Sequence, residues 1–184
     1  HAVMRFRVIA LGPRDFNAWL DQQLAPARTV APAQVATAAP ARAQFAAWKK
    51  PEDFKRNEFG FTDVYEKTPP LEVWRGRQDP DKDEDAALIA KGKDLFTAKT
   101  CSSCHTIRGH GAQGVTGPDL THVGARSTIG AGLLDNTPEQ LQRWIHDPAV
   151  VKPGNKMAKG YIDNKIKLTT EDELALVAYL RSLK

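Results

Sequence analysis

Cys101-Ser102-Ser103-Cys104-His105 is the stretch whose reading decides this chain. A Cys-x-x-Cys-His run reads as a c-type haem attachment site. Two thiols three residues apart can each form a thioether to one edge of a porphyrin, and the adjacent imidazole then falls under the iron. His105 is thereby the expected proximal axial ligand, a common way of holding haem iron. Cys101 and Cys104 are the only cysteines among 184 residues, so none remains for a disulfide or a second site. A zinc ribbon needs a second ligand pair that the chain lacks. A thioredoxin-like pair belongs near a βαβ pattern, and no run of buried parallel strands flanks this one.

The formal net charge is +4, spread as single lysines rather than in blocks, so nucleic-acid binding has little support. A mildly basic face suits encounter with an acidic redox partner. No apolar run approaches the roughly 20 residues that span a bilayer, and no basic-plus-apolar leader is present. The chain begins at His1 rather than Met. The expectation is an absent upstream segment that carries any membrane association.

Three segments follow along the chain. In residues 4–11, Met4, Phe6 and Val8 alternate with Arg5 and Arg7, the period-two pattern of a half-buried strand. Gly12-Pro13 ends it, and Asp15 is placed to cap a short helix carrying Phe16, Trp19 and Leu20 on one face. One strand and one short helix cannot bury a core alone. Residues 24–43 are rich in Ala and Pro and read as a semi-extended linker. Residues 45–83 hold Phe45, Trp48, Phe54, Phe59, Phe61, Tyr65 and Trp74 among many charges, a density of aromatics unusual for a free linker.

Residues 85–184 read as a compact, mostly α domain. Leu88, Ile89, Gly92, Leu95 and Phe96 line one face of a helix ending just before Cys101. Asp81, Asp83, Glu84 and Asp85 cluster at its N-terminus, where the dipole favours negative charge. A second helix opens at Thr137-Pro138-Glu139-Gln140, carries Leu141, Trp144 and Ile145, and stops at Asp147-Pro148. A third opens with a capping box at Thr170 and carries Leu176, Tyr179, Leu180 and Leu183.

The iron needs a sixth ligand. Of the two methionines, Met4 and Met157, the second lies in Lys152-Pro153-Gly154-Asn155-Lys156-Met157, which reads as a loop able to reach the distal side of a haem. His110, His122 and His146 compete for the role. Met/His ligation raises the reduction potential.

These motifs resemble class I cytochromes c over about 85–184. The matching features are Gly92 and Phe96, the CSSCH run, Gly117-Pro118-Asp119-Leu120, the Trp144 helix, Pro153-Gly154-x-x-Met157 and Tyr179-Leu180. The resemblance implies a class I fold around one covalent haem c, with Gly92 packed against Tyr179. It also implies that the Pro118 carbonyl receives the proximal imidazole N–H, and that Arg126 and Trp144 face the haem propionates.

The start of the chain resembles something else. His1-x-x-Met4 with Phe16-Asn17-Ala18-Trp19 is similar to the end of the cupredoxin domain of cytochrome c oxidase subunit II, where a His and a Met join two cysteines in binding the dicopper centre CuA. Thr121-His122-Val123-Gly124-x-Arg126 resembles the haem domain fused to such subunits. Three regions follow: 1–22 as the cupredoxin remnant, 23–84 as linker and aromatic strap, and 85–184 as the haem domain. His1 and Met4 are then copper ligands only where the missing cysteines are present. The implied role is electron transfer, from an upstream quinol-oxidising complex or soluble carrier to CuA. Other oxidase subunits would be partners, and the site would be periplasmic or on the outer face of the bacterial cytoplasmic membrane. The rival readings are a free-standing monohaem carrier and a haem enzyme or sensor that releases its Met to bind a small ligand.

Overall fold

The computed structural model describes Phe6 and residues 8–31 and 70–184. The elements in chain order are α1 (Pro13–Leu24), α2 (Pro70–Gly76), α3 (Ala86–Ala98), a 3-10 turn (Cys101–Ser103), β1 (Thr106–Ile107), β2 (Ala112–Gln113) and a second 3-10 turn (Val123–Ala125). After them come β3 (Thr128–Ile129), β4 (Leu134–Asp135), α4 (Pro138–His146), α5 (Pro148–Val151), α6 (Lys156–Asp163) and α7 (Thr170–Ser182). The strands form two short antiparallel hairpins, Ile107 opposite Ala112 and Ile129 opposite Leu134.

The core forms where α3 crosses α7. Ile89, Gly92 and Phe96 of α3 are buried against Leu176, Tyr179 and Leu180 of α7, with Leu141 and Ile145 of α4 closing one side. A Cβ on Gly92 would lie 1.9 Å from the Ala175 carbonyl oxygen and 2.7 Å from Tyr179 Cβ, so only glycine admits this approach. Phe96 meets Tyr179 edge-on at 5.7 Å, an arrangement aromatic pairs favour.

Helix ends follow from local chemistry, with some shifts from expectation. Asp85 caps α3 by accepting from the Ala87 and Leu88 amides. Thr137 caps α4 with Pro138 at its first position. The capping box of α7 starts at Thr169, one residue before the expected Thr170, and pairs with Asp172. Asp15 does not cap α1; Gly12 holds that position without a side-chain bond. Asp147-Pro148 ends α4 but also opens α5, because Asp147 accepts from the Ala149 and Val150 amides.

The strand expected over 4–11 is absent among the described residues there. Phe6 and residues 8–11 have no ladder partner, and Phe6 and Val8 are exposed. A strand needs a neighbour for its backbone groups, and among the described residues none pairs with this stretch. His1, Met4 and the aromatics from Phe45 to Tyr65 lie outside the described residues. Trp74 sits half-buried in α2.

The acidic cluster ahead of α3 does more than favour a helix dipole. Asp81 accepts from Arg181 Nε and Nη2, both at 3.0 Å, and from Lys184 Nζ at 2.9 Å. Burial alone would push its carboxyl up, yet the Lys184 and Arg181 contacts hold it below the ordinary carboxylate range. A depressed value means stability that is present above the unfolded value and lost as pH falls through the folded one. Lys184 is almost fully buried, so losing its anion leaves a costly unpaired charge. Asp81→Asn is expected to destabilise the fold by about 2 kcal/mol at pH 7. The difference from wild type should shrink as pH falls below the ordinary carboxylate range and through the lowered folded value. Denaturant unfolding across pH measures it, and a pH-independent difference would contradict the ion-pair account.

Candidate functional site

Two residues separate the 3-10 turn Cys101–Ser103 from the end of α3, and the second of them, Thr100, lies in the left-handed region with φ 60°. In a 3-10 turn residues three apart eclipse, so the thiols of Cys101 and Cys104 share one side. The amides of Cys104 and His105 both donate to the Cys101 carbonyl, at 3.2 and 3.1 Å, which winds His105 onto the same turn. Gly114 lets the following loop close over it, since a Cβ there would lie 2.4 Å from the Cys104 backbone.

Both cysteines are of intermediate exposure and are not joined to each other. Burial pushes the Cys101 thiol up to about 11, keeping it protonated at neutral pH. His105 donates from Nδ1 to the Pro118 carbonyl at 2.8 Å. Burial, with the Arg126 charge adding to it, holds the imidazole below its ordinary range, against the opposing effect of the Pro118 bond. A neutral ring with Nδ1 committed presents Nε2 as the available ligand atom. Gly117 makes room for it: a Cβ there would lie 2.6 Å from His105 Cε1. The donor set therefore fits a haem c: two thiols on one side of a turn and an imidazole held by its other nitrogen.

The other candidates divide clearly. Arg126 donates to the Asp119 carbonyl, beside Pro118 in the same loop. Trp144 is half-buried on the core, near Gly130. Met157 is not in a loop; it stands half-buried in the first turn of α6, which Asn155 caps by accepting from the Ala158 amide at 2.8 Å. The competing histidines all have protein partners. His110 shares a 2.9 Å hydrogen bond with the Tyr179 hydroxyl, His122 donates to the Ala25 carbonyl at 3.0 Å, and His146 donates to Glu173 at 2.6 Å. Among the described residues no three His, Cys, Asp or Glu side chains gather as a metal site of their own. Sequence reasoning missed Arg108, whose guanidinium joins Asp119 to distant backbone carbonyls; no local pattern announces it.

The model of the cytochrome c family matches residues 89–184, just over half of the chain. The chain belongs to the cytochrome c family. Its domain implies a haem and electron transfer. The chain is 42% identical over 97 residues to a cytochrome c oxidase subunit 2 of Alkalihalophilus pseudofirmus, covering 53% of this chain and 26% of that protein. A Bacillus subtilis cytochrome c oxidase subunit 2 is 36% identical over 102 residues, covering 53% of this chain and 27% of that protein. An Agrobacterium tumefaciens cytochrome c2 is 33% identical over 106 residues, covering 50% of this chain and 88% of that protein. The aligned stretch thus spans about a quarter of the subunit 2 relatives and most of the cytochrome c2.

The Pro118 bond is the site's tunable element, because a partner on the far nitrogen raises ligand basicity. Gly117→Ala forces the ring aside and weakens that bond. The less basic imidazole stabilises the oxidised form less, so the midpoint potential of the haem-loaded domain is expected to rise. Redox titration measures it; an unchanged potential would mean the Gly117 approach does not hold the ring.

Proposed function

We propose that this chain is the haem-bearing electron-transfer part of a cytochrome c oxidase subunit 2. The observation that carries the proposal is the CSSCH turn with His105 Nδ1 committed to the Pro118 carbonyl. Haem c supplies a reversible one-electron iron couple when bound. Cys101 and Cys104 would hold it covalently, and His105 and Met157 would ligate its iron. Arg126 and Trp144 serve its polar edge.

In this reading the domain takes one electron from an upstream quinol-oxidising complex or a soluble carrier and hands it to CuA. The chain's own contribution is binding, orientation and electrostatics rather than bond chemistry. The subunit 2 relatives support that route. His1 and Met4 complete a copper site only in a longer protein that supplies two cysteines. Assembly with other oxidase subunits, membrane association through an upstream segment, and a place on the outer face of the bacterial cytoplasmic membrane belong to the same proposal. A second reading, a monohaem carrier with an N-terminal extension, is favoured by the cytochrome c2 match over most of that protein. A Cys-x-x-x-Cys encoded shortly before His1 decides for the oxidase, and its absence for the carrier.

Met157→Ala tests the ligand set. The variant is expected to lose the weak far-red band of sulfur-to-iron charge transfer, to show a lower potential, and to bind carbon monoxide when reduced. Optical spectra and redox titration of the haem-loaded protein measure all three. If none changes, Met157 is not the sixth ligand.

A further inference from the structure

The stretch that follows α1 does not leave the cytochrome c domain. The Ala27 amide donates to the Arg108 carbonyl at 2.9 Å, and Ala27 itself is only 5% exposed. Pro26 lies over Gly109, where a Cβ would stand 2.9 Å from Pro26 Cβ. Arg28 pairs with Glu84 just ahead of α3. Val30 packs on the edge of the core.

Helix chemistry explains why the stretch stays. A helix ends with four carbonyls that lack intrahelical partners, and its C-terminus favours a cation. The last turn of α1 holds no basic residue. Its cation comes from the haem domain instead, with a second donor beside it. Arg108 Nη2 donates to the Gln23 and Ala25 carbonyls, and His122 Nε2 donates to Ala25 as well. Arg108 is not a loose surface arginine: Nη1 donates to Asp119 at 2.6 Å, and its own amide donates to Thr121 Oγ1 at 3.0 Å. A rigid planar fork is suited to bridging a carboxylate and two carbonyls at once.

We propose that residues 23–30 are a docked strap, riveted by Arg108 and His122, that makes α1 and the cytochrome c domain one rigid body. The free tether expected from residue 24 therefore does not begin there. The end of α1 thereby keeps a fixed place on the haem domain. This inference stands on the strap contacts and is independent of which oxidase or carrier the domain serves.

Hydrogen exchange on the haem-loaded full chain tests it at one amide. Ala27 is expected to exchange at least tenfold more slowly than its sequence would as free chain. Two variants should release it from opposite sides. Arg108→Gln removes the rivet, and Ala27→Asp puts a charge into the buried strap position while leaving every residue of the haem loop unchanged. Each is expected to speed Ala27 exchange at least tenfold while Leu176 in α7 stays protected, which shows that the domain still folds. In Ala27→Asp the haem absorption spectrum should be unchanged. Spin labels at Asn17→Cys and Glu139→Cys give a second readout: a single narrow distance in the parent protein, broadened by Ala27→Asp. An Ala27 amide that is unprotected in the parent chain, or a distance already broad there, overturns the proposal.

Discussion

The backbone contact of α3 with α7 at Gly92 is the constraint on which the rest of the domain depends. Helices usually pack 8–10 Å apart, with side chains setting the gap. Here a glycine faces the Ala175 carbonyl with no room for one carbon more. That closeness brings Phe96 onto Tyr179 at 5.7 Å and holds the Phe96 ring 6.4 Å from His105. It also sets where the CSSCH turn can start, because only two residues separate it from the end of α3. Lys99, in that short gap, donates to the Lys167 carbonyl at 2.8 Å and pairs with Asp172 at the head of α7. The turn that presents two thiols and an imidazole is thus anchored to both crossing helices.

Polar groups do the selecting that apolar packing cannot. A buried polar atom without a partner is costly, and this domain uses that cost to sort its histidines. His110 is bound to Tyr179, His122 to the end of α1, and His146 to Glu173, a carboxylate 3% exposed that also accepts from Gln142 at 2.9 Å. His105 differs from His122, which spends Nε2 on its backbone carbonyl, in the nitrogen it commits. A single backbone carbonyl takes its Nδ1 proton, which orients the ring while leaving Nε2 for a ligand. Four rings of one residue type thereby have different chemistry through their neighbours alone.

What the sequence made legible follows the range of the interactions. The helices α3, α4 and α7 carry apolar residues at helical spacing, and most of those residues are buried, with Leu88, Leu95 and Trp144 only partly so. The CSSCH turn was legible because its meaning is contained in five residues. The short helices α5 and α6 were hidden by Pro148, Pro153 and Gly154, although Asn155 is a good helix cap and was the available signal. The cap of α7 shifted because Thr169 and Thr170 both precede an acid by three. Glu173 is taken by His146 and Gln142, so Asp172 is the acid that reaches back. Strands of two residues are too short to show any period.

The strap shows why composition misleads where partners are remote. Ala and Pro in series describe a free tether, but they describe a docked strap equally well. Pro26 has little backbone entropy to lose on ordering, and Ala27 is small enough to lie buried beside the Arg108–Gly109 turn. What separates the two is whether the end of α1 finds donors, and those donors are more than 80 positions away in sequence. Arg108 lies three residues past His105, and Asp119, which it binds, directly follows Pro118. The arm is therefore fastened to the very loop that holds the proximal imidazole. An electron-transfer domain works by keeping its cofactor at a defined place relative to its partners. Fastening the preceding helix to that loop, rather than to a remote corner of the fold, ties the end of α1 directly to the site.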